Sequence, residues 1–267
     1  MPCGHQDQWA GWLTARLELI PLERFPLVEP GDDLAQLIMD SLDDNGLALQ
    51  EGDVLVIAQK IVSKAEGRYV RLAEVTAGPE AQALAARADK DPRQVELVLQ
   101  ESKEVMRVRP GVIIVEHRNG YVHANAGIDK SNIANDPDDP QVLLLPRDPD
   151  RSAQELRQAL AQKSAVDPQV IINDSMGRAW RNGTVGLAIG TAGLQPLHNQ
   201  VGERDIFGNV LEVTEPAVAD ELAAGASLVM GQAAQACPVV LARGAALQRA
   251  ESGSAGLIRD KSMDMFR

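Results

Sequence analysis

The chain has 267 residues, 45% hydrophobic and 24% charged, with a formal net charge of −12; this is the balance of a soluble globular protein long enough to bury a sizeable core. Aromatics are only 3%, so Ala, Val, Leu and Ile must build that core. The acidic balance argues against general nucleic-acid binding, and no apolar run approaches the roughly 18 residues of a membrane helix. Cys3 and Cys237 are far apart and make no CxxC pair, which excludes a disulfide scaffold and a cysteine zinc site. The N-terminus has neither a basic nor an apolar segment of the kind a signal peptide needs, which points to the cytoplasm.

In chain order, residues 1–15 read as an extension, and 16–22 (RLELIPL) alternates like a strand. Asp32 or Asp33 caps a helix with an apolar face of Leu34, Leu37, Ile38 and Leu42, ended by Gly46. Residues 53–58 (DVLVIA) are a buried strand. Asp91-Pro92 starts a helix that continues through Val95, Leu97, Val98 and Leu99. Residues 112–116 and 121–124 flank Asn119-Gly120 as a hairpin with a type I′ turn. Residues 135–140 (NDPDDP) are a loop, and 143–145 a further apolar run. Ser152 and Glu155 form a capping box opening a helix to Leu160. Residues 170–172 and 239–241 are strands, and 216–230 is an alanine-rich helix interrupted by Gly225. Strands and helices mix without a βαβ rhythm, so the fold class is α+β.

GxxxxGK[ST] and GxGxxG are both missing, and Gly183, Gly186, Gly190 and Gly193 read as close packing within a strand sooner than as a phosphate cradle. Four polar stretches carry the chemistry. QKIVSKAEGR (59–68) sets three cations and a hydroxyl after a strand, as a phosphate clamp or a solvated turn. NAGIDKSN (125–132) offers Asp129 to a divalent ion and Asn132 to a base or sugar, or forms an Asx turn. NDSMGRAWRNG (173–183) follows a strand with an aspartate and a hydroxyl, the oxygen donors that Mg²⁺ and Mn²⁺ choose, with Arg178 and Arg181 nearby. Met230-Gly231-Gln232 ends the alanine-rich helix and by itself reads as a C-cap. His5, His117, His123 and His198 make no HExxH, and no GxSxG elbow is present. His117 and His123 straddle the hairpin turn and read as surface residues.

Taken in order, FPL with PGDDL, GDVLVIAQKIVSKAEGR, KDPRQVELVLQES, ANAGIDKSN, LLPRDPDRSA, INDSMGRAWRNG, AIGTAG and DELAAGASLVMGQ resemble the coenzyme F420-0:L-glutamate ligase family, the F420 γ-glutamyl ligases. The resemblance runs from about Leu19 to about Arg243. It implies an α+β fold of two intertwined lobes with mixed and antiparallel sheets, spanning 16–250, with a tail at 251–267. It implies a free-standing homodimer that uses GTP with Mn²⁺ or Mg²⁺, and K⁺, to join F420-0 to L-glutamate. Carried over residue by residue, Phe25, Pro26 and Leu27 fall in an N-terminal nucleotide contact. Ser63, Lys64, Arg68 and Asn132 fall in the guanine-nucleotide site, and Met230, Gly231 and Gln232 in a nucleotide loop. Asp129, Asp174, Ser175 and Gln232 match metal-ligand positions, with Ser175 where threonine is usual.

The implied reaction is phosphoryl transfer from GTP to a carboxylate, then displacement of phosphate by the glutamate amine. Asp129 and Asp174 with Lys64 are the candidate catalytic residues. The alternatives are a γ-glutamyl ligase acting on another cofactor, and a non-catalytic nucleotide-binding protein. Asp129 and Asp174 are expected beside one metal cluster and, with no cation to compensate them, to repel each other when it is empty.

Overall fold

A computed structural model describes residues 16–134 and 136–265. The expected extension over 1–15, with Cys3 and His5, lies outside the described residues. In chain order the elements are β1 (Glu18–Pro21), α1 (Leu34–Asp44), β2 (Val54–Ala58), α2 (Gln59–Ala65), β3 (Tyr69–Arg71), α3 (Pro79–Ala88), α4 (Pro92–Gln100), β4 (Ser102–Arg109), β5 (Val112–His117) and β6 (Val122–Ala124). Then follow β7 (Gln141–Leu143), α5 (Pro149–Ser164), β8 (Gln169–Arg178), β9 (Arg181–Ala192), α6 (Val218–Met230) and β10 (Val239–Arg243).

The fold is α+β. A five-stranded sheet in the order β1-β10-β2-β8-β9 forms the main lobe. Only β2 and β8 run parallel in it; the other neighbours are antiparallel. Because successive strand residues face opposite ways, Leu55 and Ile57 join a core with α1 and α5, while Val54 and Val56 join a core with α6. The chain leaves this lobe after α2 and returns to it at α5. Between those points α3, α4 and the β4-β5-β6 sheet bury a separate core of Leu84, Val95, Val98, Ile113, Val115, Ile128 and Val142.

Local chemistry explains most element ends. Asp33 accepts a hydrogen bond from the Gln36 amide and Asp91 from the Arg93 amide, the N-caps of α1 and α4. Helix α5 begins one turn before the expected Ser152–Glu155 box: Asp148 is the N-cap, accepting from the Arg151 amide, and Pro149 is the first helical residue. Ser152 is used elsewhere, donating to Glu66. Helix α6 runs unbroken through Gly225.

The β5–β6 hairpin is present, but its turn is not type I′. That type needs φ > 0 at both central residues, and of Asn119 and Gly120 only the glycine has it, at 103°. The Gly120 amide closes on the His117 carbonyl and the His117 amide on the Tyr121 carbonyl, a longer loop ending in a left-handed glycine. In β9, a Cβ on Gly186 would lie 2.1 Å from Ser227 Oγ, and one on Gly190 would lie 2.4 Å from the Pro149 backbone. These glycines let α6 and α5 lie against the sheet, which is the close-packing reading. Ser254, in the expected tail, is buried and donates to Asp150 and to the Ile189 carbonyl.

Candidate active site

The polar stretches meet where the C-terminal end of β2, the middle of β8 and the hairpin of the second lobe converge. Asp174 and Ser175 do not follow a strand, as expected; they lie within β8, which continues to Arg178. Strand alternation then separates their side chains. Asn173 donates to Ser227 Oγ of α6 (3.0 Å), and Ser175 Oγ donates to Gln232 Oε1 just beyond α6 (2.7 Å). Asp174 turns the other way, to His123 of β6. Gly231, with φ 71°, is the C-cap that releases Gln232 from the helix.

Asp129 is held by a two-way backbone bridge to Leu143, at the end of β7. Its carboxylate Oδ2 receives Lys60 Nζ (2.5 Å) and Gln59 Nε2 (3.3 Å), both from α2. Lys60 also donates to the Ser131 carbonyl (3.2 Å). The stretch 59–65 is thus a short helix sooner than a loose clamp or a turn, and it presents Lys60 and Lys64 one turn apart. Burial, and then the charge of Lys60, pull the Lys64 ammonium below its ordinary value of 10.5, against an opposing pull from Glu29.

His123 is not a surface residue. Its Nε2 lies 2.8 Å from Asp174 Oδ2 and its Nδ1 2.9 Å from the Ala124 carbonyl. Both partners are acceptors, an arrangement that favours the doubly protonated ring. Burial would lower its pKa; the hydrogen bond and charge of Asp174 outweigh that and raise it above 6.5, with a further contribution from the charge of Asp129. The expected uncompensated repulsion between the two carboxylates is therefore corrected. Each has its own partner, the Lys60 ammonium on Asp129 and the His123 ring on Asp174, and both carboxylates favour protonation of that ring.

Other predicted residues lie apart from this edge. Phe25 is buried in the main core, while Pro26 and Leu27 are exposed beside it. The Ser63 side chain is fully buried and donates to Gln59 Oε1 (3.0 Å), so it reaches Asp129 only through Gln59. Arg68 is buried too, donating to the Leu145 carbonyl and to both Glu101 oxygens. Asn132 is exposed, with φ 54°, close along the chain to Asp129. Met230 is buried, with its sulfur 3.5 Å from Asn173 Nδ2. Arg178 and Arg181 are exposed at the turn end of the β8–β9 hairpin, where Arg178 donates to the Gly183 carbonyl. Gln59, Lys60 and His123 were not singled out from sequence, although Lys60 is one of the three cations in its stretch.

The donors fit a hard divalent cation by type: two carboxylates, a hydroxyl and an amide oxygen. Among the described residues no three His, Cys, Asp or Glu side chains form a metal-holding group. A cation here would complete its coordination with water or phosphate oxygens, as Mg²⁺ commonly does beside one or two carboxylates. Fold and site together define an α+β protein with an oxygen-lined, lysine-flanked edge suited to phosphate chemistry, and with no nucleophilic triad in its sequence.

Comparison with known proteins refines this. The family model described as F420-0:Gamma-glutamyl ligase matches residues 23–244, and the chain belongs to that family. It is 47% identical over 94% of its length to the coenzyme F420:L-glutamate ligase of Methanothermobacter thermautotrophicus, covering 99% of that protein. The Methanopyrus kandleri protein of the same name is also 47% identical, over 96% of this chain and 99% of its own. That of Methanocaldococcus jannaschii is 39% identical, over 94% and 97%. Among the described residues no helix is long and apolar enough to cross a membrane.

Proposed function

We propose that this chain is a ligase that joins the amino group of L-glutamate to a carboxylate of coenzyme F420-0, using GTP, and that it adds further γ-linked glutamates in later turnovers. The observation that carries the reading is the convergence, within a member of this family, of Asp129 and Asp174 from distant segments on one lysine-flanked edge.

The chemical problem is a carboxylate that is a poor electrophile. Transfer of the γ-phosphoryl group makes it an acyl phosphate, and the glutamate amine then displaces inorganic phosphate. Asp129 and Asp174 would hold Mn²⁺ or Mg²⁺; Ser175 and Gln232, paired with each other on the opposite side of β8, would have to part to serve as further donors, and K⁺ is a further expected ion. When bound, the divalent cation neutralises charge on the nucleotide phosphates. Lys64, with its lowered proton affinity, faces a polyanion more readily than it faces Lys60 and supplies positive charge at the phosphates. His123 orients Asp174, and Gln59, itself fixed by Ser63, orients Asp129. A protein of net charge −12 thereby collects anionic substrates by local attraction.

The same reading takes the protein as a cytoplasmic homodimer. The segment after β9 supports association, since Ile206, Phe207 and Val213 are all at least three-quarters exposed.

The test is incubation of the purified protein with F420-0, L-glutamate, GTP and Mn²⁺, read by mass spectrometry and phosphate release. Equal amounts of GDP, phosphate and monoglutamylated F420 are expected first. Nucleotide binding without phosphate release overturns the reading, and preference for a folate acceptor assigns the ligase to another cofactor.

A further inference from the structure

Lys60 and His123 pair with the site carboxylates in opposite directions across the molecule. Lys60 belongs to α2, whose Ile61 and Val62 are part of the main-lobe core, and it reaches Asp129, which sits between Ile128 and Leu143 of the second lobe. His123 belongs to β6 of the second lobe and reaches Asp174 in the main sheet. The two ion pairs therefore both run between the lobes.

The pairs differ in how easily they yield. The His123 ring is fixed at both nitrogens on a short strand. Lys60 ends a flexible four-carbon stem, is partly exposed, and has Lys64 one turn further along the same helix. An ammonium on Asp129 Oδ2 occupies one of the two carboxylate oxygens and sets a positive charge where a divalent cation would bind.

We propose that Lys60 is a displaceable counter-ion of Asp129: it holds the two lobes together while the site carries no divalent cation, and it releases the carboxylate when a cation arrives, turning towards the phosphates beside Lys64. The proposal rests on the ligase reading for the presence of a divalent cation. It adds a positioning role for a residue outside the oxygen donors. A purely structural lysine makes the opposite prediction, because its loss would loosen Asp129 and weaken cation binding.

The experiment is Mn²⁺ titration of the purified protein, followed by electron paramagnetic resonance of the free ion, with and without GTP. Wild type is compared with Lys60→Met, Lys60→Gln and Lys60→Arg, and thermal unfolding monitors the fold of each. Without nucleotide, Lys60→Met is expected to bind Mn²⁺ about tenfold more tightly than wild type, since a competing partly exposed ion pair is gone. Lys60→Gln should behave alike and serves if the methionine variant does not fold. Lys60→Arg, which keeps a cation on Asp129, should bind no better than wild type. Unchanged or weaker Mn²⁺ binding by both neutral variants overturns the proposal and leaves the ligase reading standing, provided wild type binds Mn²⁺ with GTP. Failure of wild type to bind Mn²⁺ even with GTP overturns both.

Discussion

Two charge clusters flank the same hairpin, and each contains one of its histidines. In the interior, Glu101 receives Arg68 Nη2 at 3.1 Å and Arg118 Nη2 at 3.2 Å, with His117 Nε2 at 3.7 Å. At the edge, Asp129 and Asp174 receive Lys60 and His123. The inner cluster joins one carboxylate to two permanently charged guanidiniums and leaves no carboxylate to spare. The outer one spreads two carboxylates over a flexible, partly exposed ammonium and an imidazole ring held at both nitrogens. The inner cluster thus fastens Arg68, which follows α2, to β4 and β5, while the outer one leaves its ammonium able to change partners.

The histidines register this difference. Burial, the largest influence, lowers the pKa of His117 below 6.5, with the hydrogen bond and charge of Glu101 opposing it. That of His123 is raised by Asp174 against burial. The same residue type on one hairpin is thus driven in opposite directions by what faces it.

The comparison is broken most severely at the outer carboxylates. Asp129→Asn and Asp174→Asn are each expected to lower turnover at limiting Mn²⁺ by about 10²–10³-fold, the scale of losing a preorganised charge at a reacting centre. Each loss also strands its partner, Lys60 or His123, so the denaturation midpoint should fall as well, and the activity loss is read on protein shown to be folded. Near-normal turnover in both would sink the site assignment. Glu101→Ala should act on stability alone. It strands the buried Arg68 guanidinium beside the partly exposed Arg118 and should cost about 3 kcal/mol in guanidinium chloride unfolding.

A smaller effect follows from the pKa directions. In the metal-free protein, ring-proton NMR should find His117 titrating below 6.5 and His123 above it. The lowered value means that the stability from His117 is complete above 6.5 and is lost as pH falls through its folded value. The raised value means that the stability from His123 is complete below 6.5 and is lost as pH rises through its folded value. His123→Gln should therefore flatten the alkaline side of the stability curve and leave the acid side intact. The smallest change expected is Ser63→Ala, which removes the buried donor to Gln59 Oε1 and should cost about 1 kcal/mol in the same unfolding assay.

Much of the scaffold was legible because it depends on local rules. Asp33 and Asp91 cap helices because a short oxygen side chain satisfies an amide two or three residues on. The runs that became β2 and β10 are apolar on both faces because both faces of the sheet are covered. The hairpin was legible while its turn type was not, since Asn-Gly permits several loop geometries and tertiary packing selects among them. The start of α5 was misplaced because Asp148-Pro149 and Ser152-Glu155 are both acceptable openings, and Ser152 is taken by Glu66 from another segment.

By itself the sequence determined the caps of α1 and α4, the α+β class and, through its motifs, the family; each is carried by residues near one another along the chain. Only the tertiary structure decided which charges meet. Lys60 and Asp129 are 69 positions apart, and His123 and Asp174 are 51 apart. No periodicity or motif spacing encodes such pairs, because a salt bridge is fixed by where two backbones are carried by their own cores. The same reason moved Arg68 and Ser63 inward. Along the chain they read like Lys64, and only the packing of α2 between two lobes made one a buried tie, one a buried hydrogen-bond donor and the third a partly exposed cation.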